Sequence, residues 1–306
     1  MNAFTVALAP ILALIVVGYV LKRLRFLADE AWAGIERLTY YILFPALLIH
    51  TLANQSVGNG QWSTVFLVVA ATLTTTALIL LLYYRLQSSL SGATFTSIFQ
   101  GGVRFNTYIA LSVIQSLYAA EGLALGSIAS GFMIILINLF CISVFAIWGK
   151  ASFRGVGPFI RQVVANPLIM GCAIGWLLSL SGIGLPGVSD DIFEIIGRAA
   201  LPFGLLAVGA ALKPELIRGH FKAIMVSSVV QFTFKPLLAV FFISLAGLNG
   251  LTASVIIIAF MVPTATSSYI LARQLGGDTE TMASIVTFQT LLAFIVMPLL
   301  ASILLS

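Results

Sequence analysis

Apolar residues fill blocks of about 20 along almost the whole chain, and short clusters of charge, glycine or proline separate the blocks. This pattern predicts ten spans near 3–21, 35–53, 62–84, 92–118, 122–148, 159–181, 191–212, 219–246, 250–272 and 280–304. The connections between them are short. The first span has no basic stretch before it and Lys22, Arg23 and Arg25 directly after it, so it reads as a retained anchor rather than a cleaved signal.

Composition narrows the class. Of 306 residues, 60% are hydrophobic and 8% charged, with a mean hydropathy of +1.11, far from the roughly one-quarter charged residues of a soluble domain. A soluble enzyme is excluded, and no segment is long enough for a separate catalytic or nucleic-acid-binding domain. The net charge of +5 therefore reads as membrane topology rather than nucleic-acid affinity. Lys22, Arg23, Arg25, Arg37, Arg85, Lys150, Arg154, Arg161, Lys213, Arg218, Lys222 and Arg273 fall at the ends of, or in loops after, odd-numbered spans, while the other side holds Arg198. The positive-inside rule then puts the odd loops in the cytoplasm and both termini outside. Cys141 and Cys172 sit in apolar stretches without metal-ligand spacing and read as buried free thiols.

The chain also repeats itself. A shift of 157 residues aligns Pro10 with Pro167, Gly18 with Gly175, Tyr19 with Trp176, Pro45 with Pro202, Thr107 with Thr264, Glu121 with Asp278 and Ser127 with Ser284. The predicted organisation is a first repeat over 1–148, a cytoplasmic linker over 149–158 and a second repeat over 159–306. Five spans per repeat is an odd number, so the second half must enter the membrane upside down, the arrangement of secondary transporters with alternating access.

The fourth span of each repeat is a poor continuous helix. One reads Gln100-Gly101-Gly102-Val103-Arg104-Phe105-Asn106-Thr107-Tyr108; the other runs from Ala259 through Pro263 and Thr264 to Tyr269, where Pro263 removes a backbone donor. Paired interruptions point to a midplane binding site. Two helix N-termini near Thr107 and Thr264 would attract an anion there. The competing reading is a proline kink in one helix and a glycine packing face in the other.

Several stretches carry a resemblance: Asn166-Pro167-Leu168-Ile169, Phe105-Asn106-Thr107, Lys235-Pro236, and Val262-Pro263-Thr264 through Ala272-Arg273. Over essentially its whole length the chain resembles the auxin efflux carrier family, bacterial type, within the superfamily of bile acid symporters. The resemblance implies an all-α membrane protein of ten transmembrane helices, arranged as two inverted five-helix repeats with broken, crossing helices four and nine. It also implies organic-anion substrates and a homodimer paired through scaffold helices. Plant members carry prolines where this chain has Phe105 and Val113, and a large hydrophilic loop where it has Gly149 to Pro158. Those departures point away from auxin itself and toward a compact carrier of small carboxylates.

Ionisable groups inside lipid are costly and call for a role. Three stand in the spans: Arg104 before the predicted break, Lys235 in span eight and His50 toward the outer end of span two. All ten carboxylates fall in loops or at helix ends, which argues against buried-aspartate sodium or proton antiport. The expected substrate-binding set is Arg104, Asn106, Thr107, Pro263, Thr264 and Lys235. Arg104 and Lys235 have a second reading, as caps on the carbonyl ends of the broken helices. His50 is a candidate for proton linkage and equally a structural donor. Asn166 before Pro167 reads as a helix N-cap.

HExxH, GxSxG and paired mid-membrane aspartates are missing from the sequence, so neither an enzyme nor a cofactor is expected. The expectation is a multi-pass carrier in the cell inner membrane whose partners are lipid and a small organic anion, not nucleic acid. The alternatives are cation or proton coupling on the same fold, or a non-transporting sensor.

Overall fold

The computed structural model describes residues 3–54, 61–149 and 166–305. Every regular element among them is helical. In order these are α1 (Ala3–Arg23), α2 (Asp29–Leu38) and α3 (Phe44–Ala53), α4 (Trp62–Arg85), α5 (Gly92–Val103), α6 (Thr107–Trp148) and α7 (Pro167–Leu180). They continue with α8 (Val188–Arg198), α9 (Ala200–Ala210), α10 (Phe221–Val229), α11 (Lys235–Leu245), α12 (Gly250–Met261), α13 (Ser267–Leu275) and α14 (Thr279–Leu304). Six helical stretches are long and apolar enough to cross a membrane, and α7 and α12 are shorter apolar helices. Residues 150–158 of the expected linker, the start of the sixth span, and Lys150, Arg154 and Arg161 lie outside the described residues.

Prolines decide where the helices deviate. Pro45 and Pro236 each lack an amide hydrogen and crowd the carbonyl four residues back. The turn before each widens into π-helix, Thr39–Leu43 between α2 and α3 and Val230–Phe234 between α10 and α11. At Pro45 the deviation is thus a local widening of the helix. Pro202 follows a discontinuity at Ala199 between α8 and α9. In α7, Asn166 accepts from the amides of Leu168 (2.9 Å) and Ile169 (3.3 Å), with Pro167 in the first turn, as expected of an N-cap.

Both suspect spans leave the helix. The first is non-helical over Arg104–Asn106, between α5 and α6; the second over 262–266, between α12 and α13. Within α6 the chain reverses at Ala119 (φ 51°), which separates 107–118 from 120–148.

The helices pack as two sets. In one, α1 lies along α9, and α3 along α7 and α8; in the other, α5 and α6 pack with α4, α10, α12 and α14. Glycines permit the closest approaches in the first set. A Cβ at Gly18 would overlap the backbone of Leu206, and one at Gly175 would press on Leu52 and the backbone of Ile49. Cys141 and Cys172 are buried free thiols.

Candidate functional site

Four helix ends meet at the two interruptions: the C-termini of α5 and α12 and the N-termini of α6 and α13. A buried helix end leaves carbonyls or amides without intrahelical partners, which in lipid must be met by other groups. The two interruptions meet part of this need from each other. The Asn106 amide donates to the Pro263 carbonyl (2.8 Å), and the Thr264 hydroxyl donates to the Gln100 carbonyl (3.1 Å).

Three further carbonyls, of Arg104, Val262 and Gly101, are met by side chains from neighbouring elements. Lys235 Nζ donates to the Arg104 carbonyl (3.1 Å) and to Gln231 Oε1 (2.6 Å), and Gln231 Nε2 donates to the Val262 carbonyl. Gln289 bridges the two ends: its Oε1 accepts from the Thr264 amide (3.0 Å) and its Nε2 donates to the Gly101 carbonyl (3.0 Å). Gln100, Gln231, Gln289, Lys235 and Thr264 are all fully buried.

On the N-terminal side of the breaks the picture is open. A cavity of about 520 Å³ is lined by Arg104, Asn106, Thr107 and Tyr108 at the start of α6, and by Ala265, Thr266 and Ser267 at the start of α13. The opposite wall comes from the other helix set: Glu36, Arg37, Tyr40, Tyr41 and Phe44 around the first π turn, and Asn166, Pro167 and Leu168 at the start of α7. Its volume falls in the range of small-molecule sites.

Arg104 directs Nη1 to Asn138 Oδ1 (3.4 Å) and Nη2 to Ser267 Oγ (3.1 Å), and its Nε has no hydrogen-bond partner. Asn106 caps α6 by accepting from the Ile109 amide (3.1 Å), and its Nδ2 likewise has no partner. This side of the cavity therefore combines the Arg104 guanidinium with the positive ends of two helices, with Glu36 and Arg37 also in the lining.

The expected site residues divide. Arg104, Asn106 and Thr107 line the cavity. Lys235, Pro263 and Thr264 stand behind it and hold the broken ends, so the structure brings the first three together and withdraws the other three from the wall. The reason is geometric: the carbonyl ends that Lys235 and Thr264 serve point away from the open side. His50 lies at neither interruption. Its Nε2 is 3.3 Å from Asp190 Oδ1, which also accepts from Asn54 Nδ2 (2.6 Å).

Sequence reasoning missed Glu36 in the wall, having grouped it with the helix-end charges. A signal was available, since Ala33, Glu36, Arg37, Tyr40, Tyr41 and Phe44 recur at helical spacing and all line the cavity. Gln231 and Gln289 were missed as well, although glutamines inside apolar spans are themselves a warning of buried hydrogen bonding.

Comparison with known proteins covers nearly the whole chain. The profile of the membrane transport protein family matches residues 3–152 and 150–301. A protein of Methanothermobacter thermautotrophicus described as an uncharacterized transporter is 21% identical over 297 residues, covering 96% of each chain.

Proposed function

Since the chain belongs to the membrane transport protein family, the auxin efflux carriers, we propose that it is a secondary transporter that exports or exchanges small organic anions across the cell inner membrane by alternating access. The observation that carries this reading is the cavity wall in which Arg104 and the N-termini of α6 and α13 converge. Charged hydrogen bonds and helix N-termini both favour a carboxylate. The Arg104 nitrogens now bonded to Asn138 and Ser267 are the ones for which a substrate carboxylate competes.

Alternating access needs two halves that exchange roles, and the backbone supports ten passes in two inverted repeats. Arg25 and Ala119, the non-glycine residues at positive φ among the described residues, stand 157 positions before Gly182 and Gly276, both also at positive φ. Gly18 and Leu206 touch as Gly175 and Ile49 do, each pair being the image of the other at that same offset. The hydrogen bond between Asn106 and Pro263 joins two residues that are themselves repeat equivalents. The cavity lining includes Arg37 and Gln274, the latter next to Arg273 in the chain. Arg37 and Arg273 belong to the positive set that the charge pattern assigns to the cytoplasm, and this supports reading the cavity as open inward.

Counterflow of radiolabelled mono- and dicarboxylates in proteoliposomes tests the reading. Saturable exchange by the wild type, reduced at least about tenfold by Arg104→Gln at equal reconstitution, is expected from loss of a charged contact of about 1.5–3 kcal/mol. Binding without flux would overturn carriage in favour of a sensor. Glu36 in the wall favours a proton-coupled version, in which a carboxylate near the substrate accepts the coupled proton. In that version an inward pH gradient drives uptake by the wild type and not by Glu36→Gln, which retains counterflow.

A further inference from the structure

Lys235 is fully buried, and among the described residues no carboxylate lies within ion-pair distance of it. An isolated charge so placed is strongly disfavoured unless negative groups face it. What faces it is one backbone carbonyl and one glutamine amide oxygen. Its ammonium touches the Arg104 carbonyl at 3.1 Å and Gln231 Oε1 at 2.6 Å, and Gln231 holds the Val262 carbonyl with its other end. One cation and one amide thereby join the C-terminal ends of α5 and α12.

Each such end carries roughly half a negative charge. Half-helix C-termini and unwound carbonyls are also the groups that coordinate a coupling cation in carriers with discontinuous helices. From this geometry we infer that the Lys235 ammonium is a tethered monovalent cation: it permanently fills, between the carbonyl ends of α5 and α12, a site that otherwise takes an alkali cation or a small primary ammonium. The consequence for transport, which rests on the proposed function, is that the cycle requires neither sodium nor potassium. The site itself stands on the hydrogen bonds alone.

Removing the tether should expose the site. The measurement is the thermal midpoint of purified protein, without any organic anion, in the chlorides of sodium, potassium, methylammonium and the bulky N-methylglucamine. Wild type is expected to have one midpoint in all four salts. Lys235→Ala is expected to fall in N-methylglucamine and to rise again saturably, by about 2–4 °C, in methylammonium or sodium. Lys235→Met, which fills the space without charge, is expected to fall and to stay down in every salt.

A wild type stabilised saturably by sodium, a Lys235→Met as stable as wild type, or a Lys235→Ala indifferent to all small cations would each overturn the inference. Should Lys235→Ala not fold, the wild-type and methionine measurements still decide. In proteoliposomes, methylammonium should revive counterflow by Lys235→Ala. Absence of organic-anion flux in the wild type, with the thermal pattern intact, would count against the proposed function and leave the tethered cation standing.

Discussion

At Arg104–Asn106 the first interruption turns a guanidinium and the start of α6 toward open space, and two of its side-chain donors, Arg104 Nε and Asn106 Nδ2, have no partner. At 262–266 the Val262 carbonyl, the Pro263 carbonyl and the Thr264 amide and hydroxyl all have protein partners, while Ala265 and Thr266 share the cavity wall. The two halves therefore differ in their side chains: the first brings the guanidinium, the second mainly backbone and hydroxyls. A broken helix in lipid must have its backbone groups satisfied. Once Gln231, Gln289 and Lys235 do that for both breaks, the polar groups of the first are free to face a ligand. Stability and recognition are carried by different side chains a few ångströms apart.

Gln289→Leu should break this division most sharply. It strips partners from the Thr264 amide and the Gly101 carbonyl together, and two unsatisfied buried groups cost about 2–6 kcal/mol. A large fall in thermal midpoint is expected, with substrate affinity of the surviving folded fraction little changed. Arg104→Gln should show the reverse profile, a midpoint close to wild type with counterflow lost. Equal losses of stability in the two variants would erase the distinction. Glu36→Gln is expected to be milder than either, altering the drive and sparing exchange.

How far the sequence could anticipate this follows from the physics of each residue. Apolar blocks and breakers act locally, so the all-helical, apolar character was readable from the blocks, and both interruptions from Gly101, Gly102 and Pro263. The N-cap at Asn166 was readable for the same reason, since its amide partners lie two and three residues on. The roles of Lys235 and Thr264 were not, because each depends on which way a carbonyl points after the helix stops and on a partner more than a hundred residues away. Glu36 escaped notice because hydropathy counts a charge near a helix end as leaving the membrane. Here a cavity reaches it from the far side.

The finest difference between the halves is in the turns after the interruptions, where the first half has Ala119 at φ 51° and the second has Gly276 at φ 73°. A Cβ at positive φ is strained by about 1–3 kcal/mol, and glycine relieves this at an entropic cost of about 0.4–1 kcal/mol in the unfolded chain. Ala119 has ψ −143°, close to a region essentially reserved for glycine, whereas Gly276 has ψ 36° in the left-handed α region, so Ala119→Gly should raise stability by roughly 1–2 kcal/mol and Gly276→Ala should lower it by about 0.5–1 kcal/mol. The pair is read out as opposite shifts in thermal midpoint on one preparation. If Ala119→Gly instead lowers the midpoint, then the alanine methyl makes contacts that outweigh the strain, and the first half has adapted its turn where the second kept glycine. If the shifts are opposite in sign and the Ala119 shift is the larger, the two halves carry unequal backbone strain at equivalent turns, as their ψ angles indicate.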